Sequence, residues 1–229
     1  MNTEQNTNQI TFTGVFPKSS LPHNRIMLLT ENGADNSAQQ LTVSGYENAE
    51  LAYPTWYANG LTLLVTNYTN NQPKLLKVNI NSLQSQELTY QGYWSGMGTV
   101  NLVNDEIIAY GGQSESSGIY NQNNNKICMQ IGDNTPFVFS DLAEGAIGRA
   151  PWFCNDGQLM AFEAMSGQGK LQIFIKSVDL SNRNTPIIPV GNGNFAAQHA
   201  KFSPDGSQLV WVQNDNQGRS RIYLGTIDY

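Results

Sequence analysis

Charge is scarce in this sequence. Only 13% of its residues are Asp, Glu, Lys or Arg, and the 12 basic side chains are outnumbered by 18 acidic ones, for a formal net charge of −6. Such a balance builds no basic footprint for phosphate backbones or anionic lipid, so neither nucleic acid nor a membrane surface is the expected partner. Cysteine is scarcer still. Cys128 and Cys154 are too few for a disulfide scaffold, and their spacing fits no CxxC metal or redox pattern, so both are expected as ordinary buried thiols. Two histidines, His23 and His199, cannot furnish a multi-histidine metal centre, no dense carboxylate loop suggests calcium, and no glycine-rich loop precedes a helical pattern. No metal and no other cofactor is expected. The nucleophile-elbow spacing G-x-S-x-G does not occur, since GYWSGMG (92–98) has the wrong order. No apolar run approaches the roughly 18 residues a membrane helix needs. The opening MNTEQNTNQ has no basic segment followed by an apolar one, so the sequence as written reads as cytoplasmic, or as exported if a leader has been removed.

What the sequence has in place of charge is amide. NYTNNQP (67–73) and NQNNNK (121–126) are examples, and Asn and Gln suit turns and neutral polar contacts. The turns recur. YANG (57–60), CNDG (154–157) and SPDG (203–206) each end in Gly after Asn or Asp, which readily take the positive φ angles of a tight hairpin corner. An aromatic residue precedes each corner (Trp56, Phe153, Phe202), and two residues before it stands Pro54, Pro151 or Ala200. A β-rich run, a polar loop and a second β-rich run follow, as in QLMAFEAMSGQGKLQIFIKSVDL (158–180) and QLVWVQNDNQGRSRIYLGTID (208–228). Asn59, Asp156 and Asp205 are read as turn formers, because Asx side chains bond nearby backbone in such corners.

Five copies are visible, at Ile26, Thr62, Ile107, Leu159 and Leu209, spaced by 36, 45, 52 and 50 residues. That period is the signature of a four-stranded propeller blade. SQELTY (85–90) and TPIIPV (185–190) are placed to supply outermost strands, and the last copy has none. QITFTGVF (9–16) alternates as a half-buried strand should, and the wrap-around distance from Leu209 to Ile26 is 46, one full period. The expectation is therefore one all-β domain over residues 1–229, a β-propeller of five four-stranded blades, with residues 1–8 a disordered tail. Its ring is closed by the N-terminal strand, which completes the last blade and removes exposed sheet edges.

The run HAKFSPDGSQLVWVQNDNQGRSRIYLGTID (199–228) resembles the repeat of the TolB-like propeller family, related to WD-type propellers, whose units centre on an aromatic-Ser-Pro-Asp-Gly turn. The resemblance extends to APWFCNDGQLMAFEAMSGQGKLQIFIKSVDL (150–180) and, more weakly, to YPTWYANGLTLLVTN (53–67). It implies a binding role, since members act mostly as interaction surfaces or accompany a separate catalytic domain.

In a propeller the segments entering the innermost strands surround the central channel. Here they present Glu50, Tyr53, Tyr93, Trp94, Glu144, Arg149 and His199, a mixture of aromatic faces, one guanidinium and carboxylates suited to a peptide segment or a sugar. Arg149 stands out as a lone cation among small residues. No catalytic residue is assigned. The expected function is a non-enzymatic, monomeric scaffold for a protein partner, with a lectin-like module for neutral glycans as the alternative. Glycoside hydrolysis by a carboxylate pair drawn from Glu50, Asp141, Glu144 and Glu163 comes third.

Overall fold

The structure is a computed structural model that describes residues 9–15, 24–30, 38–140, 148–166, 169–191 and 193–227. The chain divides into two compact units, Met1–Thr89 and Tyr90–Tyr229. All five predicted copies are antiparallel sheets, the blades of a β-propeller, and among the described residues the only helices are three short 3-10 turns.

The first unit holds two blades. One contains β1 (Gln9–Val15), β2 (Asn24–Thr30) and β3 (Gln39–Gln40). The other contains β4 (Leu51–Trp56), β5 (Thr62–Asn67), β6 (Lys74–Asn79) and β7 (Ser85–Glu87), in that spatial order. Their facing surfaces share one core of Ile26, Val43, Leu51, Leu63, Val65, Leu76 and Val78. The second unit holds three. The third blade runs β8 (Tyr93–Val100), β9 (Ile107–Ser114), β10 (Lys126–Ile131), β11 (Phe137–Val138). The fourth runs β12 (Gly148–Phe153), β13 (Leu159–Met165), β14 (Leu171–Ser177), β15 (Ile187–Val190), and the fifth β16 (Ala197–Phe202), β17 (Gln208–Asn214), β18 (Ser220–Thr226). Met129, Met160 and Phe162 fill the space between the third and fourth blades, and Ala161, Ile173, Leu209 and Trp211 that between the fourth and fifth. Apart from Glu163, strand β13 is thus apolar on both faces, as a strand sandwiched between two blades must be.

The corners answer to one pattern. Gly60, Gly157 and Gly206 have φ of 64°, 72° and 76°, and each donates its N–H to the carbonyl three residues back, of Tyr57, Cys154 and Ser203. Asn59, Asp156 and Asp205 accept from the amide two residues on, at 2.9, 2.9 and 3.1 Å. The amides also tie corner to corner in the second unit: Asn101 Nδ2 donates to Gly157 O at 3.2 Å, and Asn155 Nδ2 to Pro204 O at 3.0 Å. A Cβ on Gly157 would collide with the Asn101 amide.

Two expectations are corrected. Three blades have four strands, while the first and fifth have three among the described residues. The N-terminal strand does not complete the last blade. β1 pairs with β2 over seven residues, from Gln9 opposite Thr30 to Val15 opposite Asn24, and so is the innermost strand of the first blade. A partner close in sequence closes a shorter loop than one at the far end of the chain, and consecutive strands usually pair. Residues 1–8, Asp141, Glu144 and His23 lie outside the described residues. Both cysteines are buried free thiols, and burial pushes Cys128 up to about 12.

Candidate functional site

In four blades the innermost strand breaks register at the same place, between Ala52 and Thr55, Gly96 and Thr99, Arg149 and Trp152, and Gln198 and Lys201. Each break is a two-residue bulge whose first member has positive φ without being glycine: Tyr53 (54°), Met97 (54°), Ala150 (47°) and His199 (61°). The second member is Pro54, Gly98, Pro151 or Ala200. A bulge releases its residues from the ladder, so proline costs no hydrogen bond there, which explains the prolines seen upstream of the corners. It also turns a backbone N–H away from the neighbouring strand. The preceding blade accepts it in two cases, with Thr13 Oγ1 taking the Tyr53 N–H at 3.0 Å and Glu163 Oε1 taking the His199 N–H at 2.7 Å.

Glu163 is the centre of the second unit's site. It lies on β13 and is 1% exposed. Its Oε2 accepts from Arg149 Nε at 2.7 Å, and its Oε1 accepts from the His199 backbone with the imidazole Nδ1 at 3.8 Å. Burying this carboxylate is tolerable because both oxygens are hydrogen-bonded, one to a guanidinium. Arg149 and His199 are meanwhile left half-buried and exposed respectively. Beside them the Lys201 ammonium lies 2.9 Å from the centroid of the Trp152 ring. Withdrawal of that ammonium from water pushes its pKa down to about 7, opposed by the charge of Glu163. Lys201 as a residue is exposed, and water along its stem works against the full drop. The group is therefore cationic below neutrality and loses charge as pH rises. Reductive ¹³C-methylation followed by NMR titration should give Lys201 the lowest midpoint among the lysines; a midpoint near 10 would show that its ammonium is fully hydrated.

The remaining predicted residues sit on or beside the inner strands. Trp94, on β8, is only 6% exposed, and its indole meets Tyr120 edge-on at 5.7 Å, so it is packed within its blade rather than presented as a platform. Tyr93 is half-buried against Tyr90, with centroids 6.0 Å apart. In the first unit Tyr53 is 47% exposed, its ring edge-on to Tyr68 at 6.1 Å. Glu50 nearby is anchored by Asn24 Nδ2 at 2.5 Å, while its own N–H donates to Thr69 Oγ1 at 3.2 Å. Arg149 and His199 are thus brought together on one carboxylate in the second unit, and Glu50 and Tyr53 lie three residues apart in the first.

Among solved structures, TolB from Acinetobacter baumannii superposes on 96% of this chain with a TM-score of 0.72 at 11% identity. The fold is the β-propeller of TolB. The chain spans 50% of that protein's length. A nidogen/laminin complex structure matches 93% of the chain, and the chain covers 76% of the matched protein, with a TM-score of 0.65 at 11% identity. Oligogalacturonate lyase in complex with manganese matches 95% of the chain and is itself 71% covered, with a TM-score of 0.57 at 15% identity. No family model and no curated protein matches the sequence. Among the described residues of this propeller, no helix is long and apolar enough to cross a membrane.

Lys201 and Trp152 were not among the sequence-derived ligand residues. Aligning the bulges shows the signal that marks them. The position just before the corner's aromatic is Thr55 in the second blade, Trp152 in the fourth and Lys201 in the fifth, so a repeated slot carries a different chemistry in each blade.

Proposed function

We propose that this propeller is a non-catalytic binding scaffold that receives a carboxylate-bearing segment of a protein partner where the inner strands of its fourth and fifth blades meet. One observation carries the reading: both oxygens of the buried Glu163 are committed to Arg149 and the His199 N–H, so the half-buried guanidinium and the exposed imidazole flank a carboxylate that is already engaged. Below neutrality, where Lys201 is protonated, two cations against one carboxylate give the place a net positive charge, and a guanidinium matches a carboxylate in geometry as well as sign. A carboxylate already engaged as a double acceptor is poorly disposed to act as a general acid or nucleophile, which favours binding over glycoside hydrolysis. The fold itself is neutral on this point, since it occurs both in a nidogen/laminin complex and in a lyase.

Fluorescence anisotropy with peptides ending in two glutamates, against the same peptides ending in two glutamines, tests the reading. The acidic peptides should bind at least tenfold more tightly, lose that preference in Arg149→Ala, and bind more tightly at pH 6 than at pH 8.5, because Lys201 gives up its charge between them. Equal binding of acidic and amide peptides would reject it. Tyr53 favours a second reading. Its exposed ring in the first unit is a surface on which a neutral sugar can stack, and saturable binding on a glycan array that is lost in Tyr53→Ala would move that reading to first place.

A further inference from the structure

Asn59 and Gly60 form the one Asn-Gly step among the described residues, at the corner between β4 and β5. Asparagine before glycine is the pair most open to attack by the backbone on a side-chain amide, because glycine brings no Cβ to hinder the approach of its nitrogen. Asn59 is exposed, and a Cβ added to Gly60 would meet nothing within 4 Å, so the corner stands open to water. In the closed corner every group of that reaction is engaged. The Gly60 N–H donates to Tyr57 O at 3.1 Å, Asn59 Oδ1 accepts from the Leu61 N–H at 2.9 Å, and Asn59 Nδ2 donates to Thr62 Oγ1 at 3.0 Å. Attack therefore waits on opening of the turn, a local event that an exposed hairpin corner undergoes far more often than its strands separate.

We infer that Asn59 is a site of self-modification, where water exchanges the side-chain amide for a carboxylate that the corner then holds in place. The Gly60 nitrogen gives up its proton and bonds to Asn59 Cγ. The Cγ–Nδ2 bond breaks, the proton leaves with the amide as ammonia, and a five-membered imide remains. One water molecule then opens the ring. Addition at Cγ yields aspartate, whereas addition at the backbone carbonyl yields isoaspartate, whose main chain runs through Cγ and is one atom longer. The repeat shows which product fits. Asp156 and Asp205 hold the same place in the fourth and fifth blades, and each accepts, as Asn59 does, from the amide two residues on, at 2.9 and 3.1 Å. Aspartate at this corner keeps the acceptor for Leu61, and the Thr62 hydroxyl can turn to donate to it, as Ser207 Oγ donates to Asp205 at 2.9 Å. Isoaspartate puts an extra atom between the ends of the turn and breaks the bond from Gly60 to Tyr57. The exchange adds one negative charge and makes all three glycine corners acidic. It owes nothing to the binding role proposed for Arg149, so the two proposals stand or fall independently.

The test holds the full chain at pH 8.5 and 37 °C in ¹⁸O-labelled water and follows residue 59 by peptide mapping. The residue should exchange its amide for an acid carrying one ¹⁸O, faster at pH 8.5 than at pH 7, because the attacking nitrogen must first lose its proton. The folded chain should react at least tenfold more slowly than the chain unfolded in guanidinium chloride. Asn59→Asp, which makes the product directly, should keep the melting temperature of the parent to within about 2 °C. An amide still intact in the folded chain when the unfolded chain has lost it entirely would overturn the proposal, and so would equal rates in the two. A melting temperature lowered by about 5 °C or more in Asn59→Asp would also overturn it, by showing that the corner rejects the carboxylate.

Discussion

Replacing Glu163 by alanine is expected to destabilise the protein by about 2–3 kcal/mol, because it strips the acceptor from the Arg149 guanidinium and from the His199 N–H at once. For a protein of this size that corresponds to a fall in melting temperature of about 5–10 °C. The loss is held below the range for a fully buried pair because Arg149 keeps 31% of its side chain in water and can be rehydrated. Glu163→Gln retains a neutral acceptor and should cost less. A double-mutant cycle with Arg149→Ala apportions the effect: coupling of about 1 kcal/mol or more is expected for groups in direct contact. A melting temperature unchanged in Glu163→Ala would mean that neither hydrogen bond holds in solution.

Phe162→Ala should be more damaging, at about 3–5 kcal/mol. Phe162 is fully buried on β13 in the core between the third and fourth blades, with its ring stacked on Phe174 at a centroid distance of 6.0 Å. Truncation loses the apolar burial and leaves a cavity that the flanking β-strands cannot collapse into, since their spacing is fixed by the ladders on either side. Phe162→Leu should recover most of the loss, to within about 1.5 kcal/mol of the parent. Urea unfolding with an unchanged m-value is the measurement. A cost under 1 kcal/mol for the alanine variant would show that the two blades are not packed through this residue.

Much of this fold was legible because its corners are chemically constrained. Only residues that tolerate positive φ can end YANG, CNDG and SPDG, so those glycines and the Asx residues before them announce the blades. The third blade was legible only through its period, because its corner uses Asn101 and Asn104 as side-chain acceptors and has no glycine. The place of β1 was not legible. Counting residues around the join gives one period whether the strand finishes the last blade or starts the first, and only the register with β2 decides. Arg149 and His199 were found as polar residues before the corners, while Glu163 was named only among four carboxylates for a hydrolytic pair and not as their common partner. Glu163 lies in an otherwise apolar strand, and nothing in its neighbours Phe162 and Ala164 distinguishes a buried anchor from a surface acid. Trp94 shows the converse limit, since an aromatic residue near the channel has the same sequence signature whether packed or presented.

The left-handed backbone at His199 has a consequence for how this protein could change by mutation. Glycine is the residue best suited to that conformation, so His199→Gly relieves a folded-state backbone cost of about 1 kcal/mol, set against the extra freedom glycine gives the unfolded chain, and leaves the N–H bond to Glu163 in place. The same step removes an imidazole from beside Arg149. On the binding role proposed above, this one position therefore sets backbone ease against recognition. The same slot is non-glycine in all four bulges, at Tyr53, Met97, Ala150 and His199, so the fold carries a backbone cost of this order in four of its blades and each of those positions offers the same exchange.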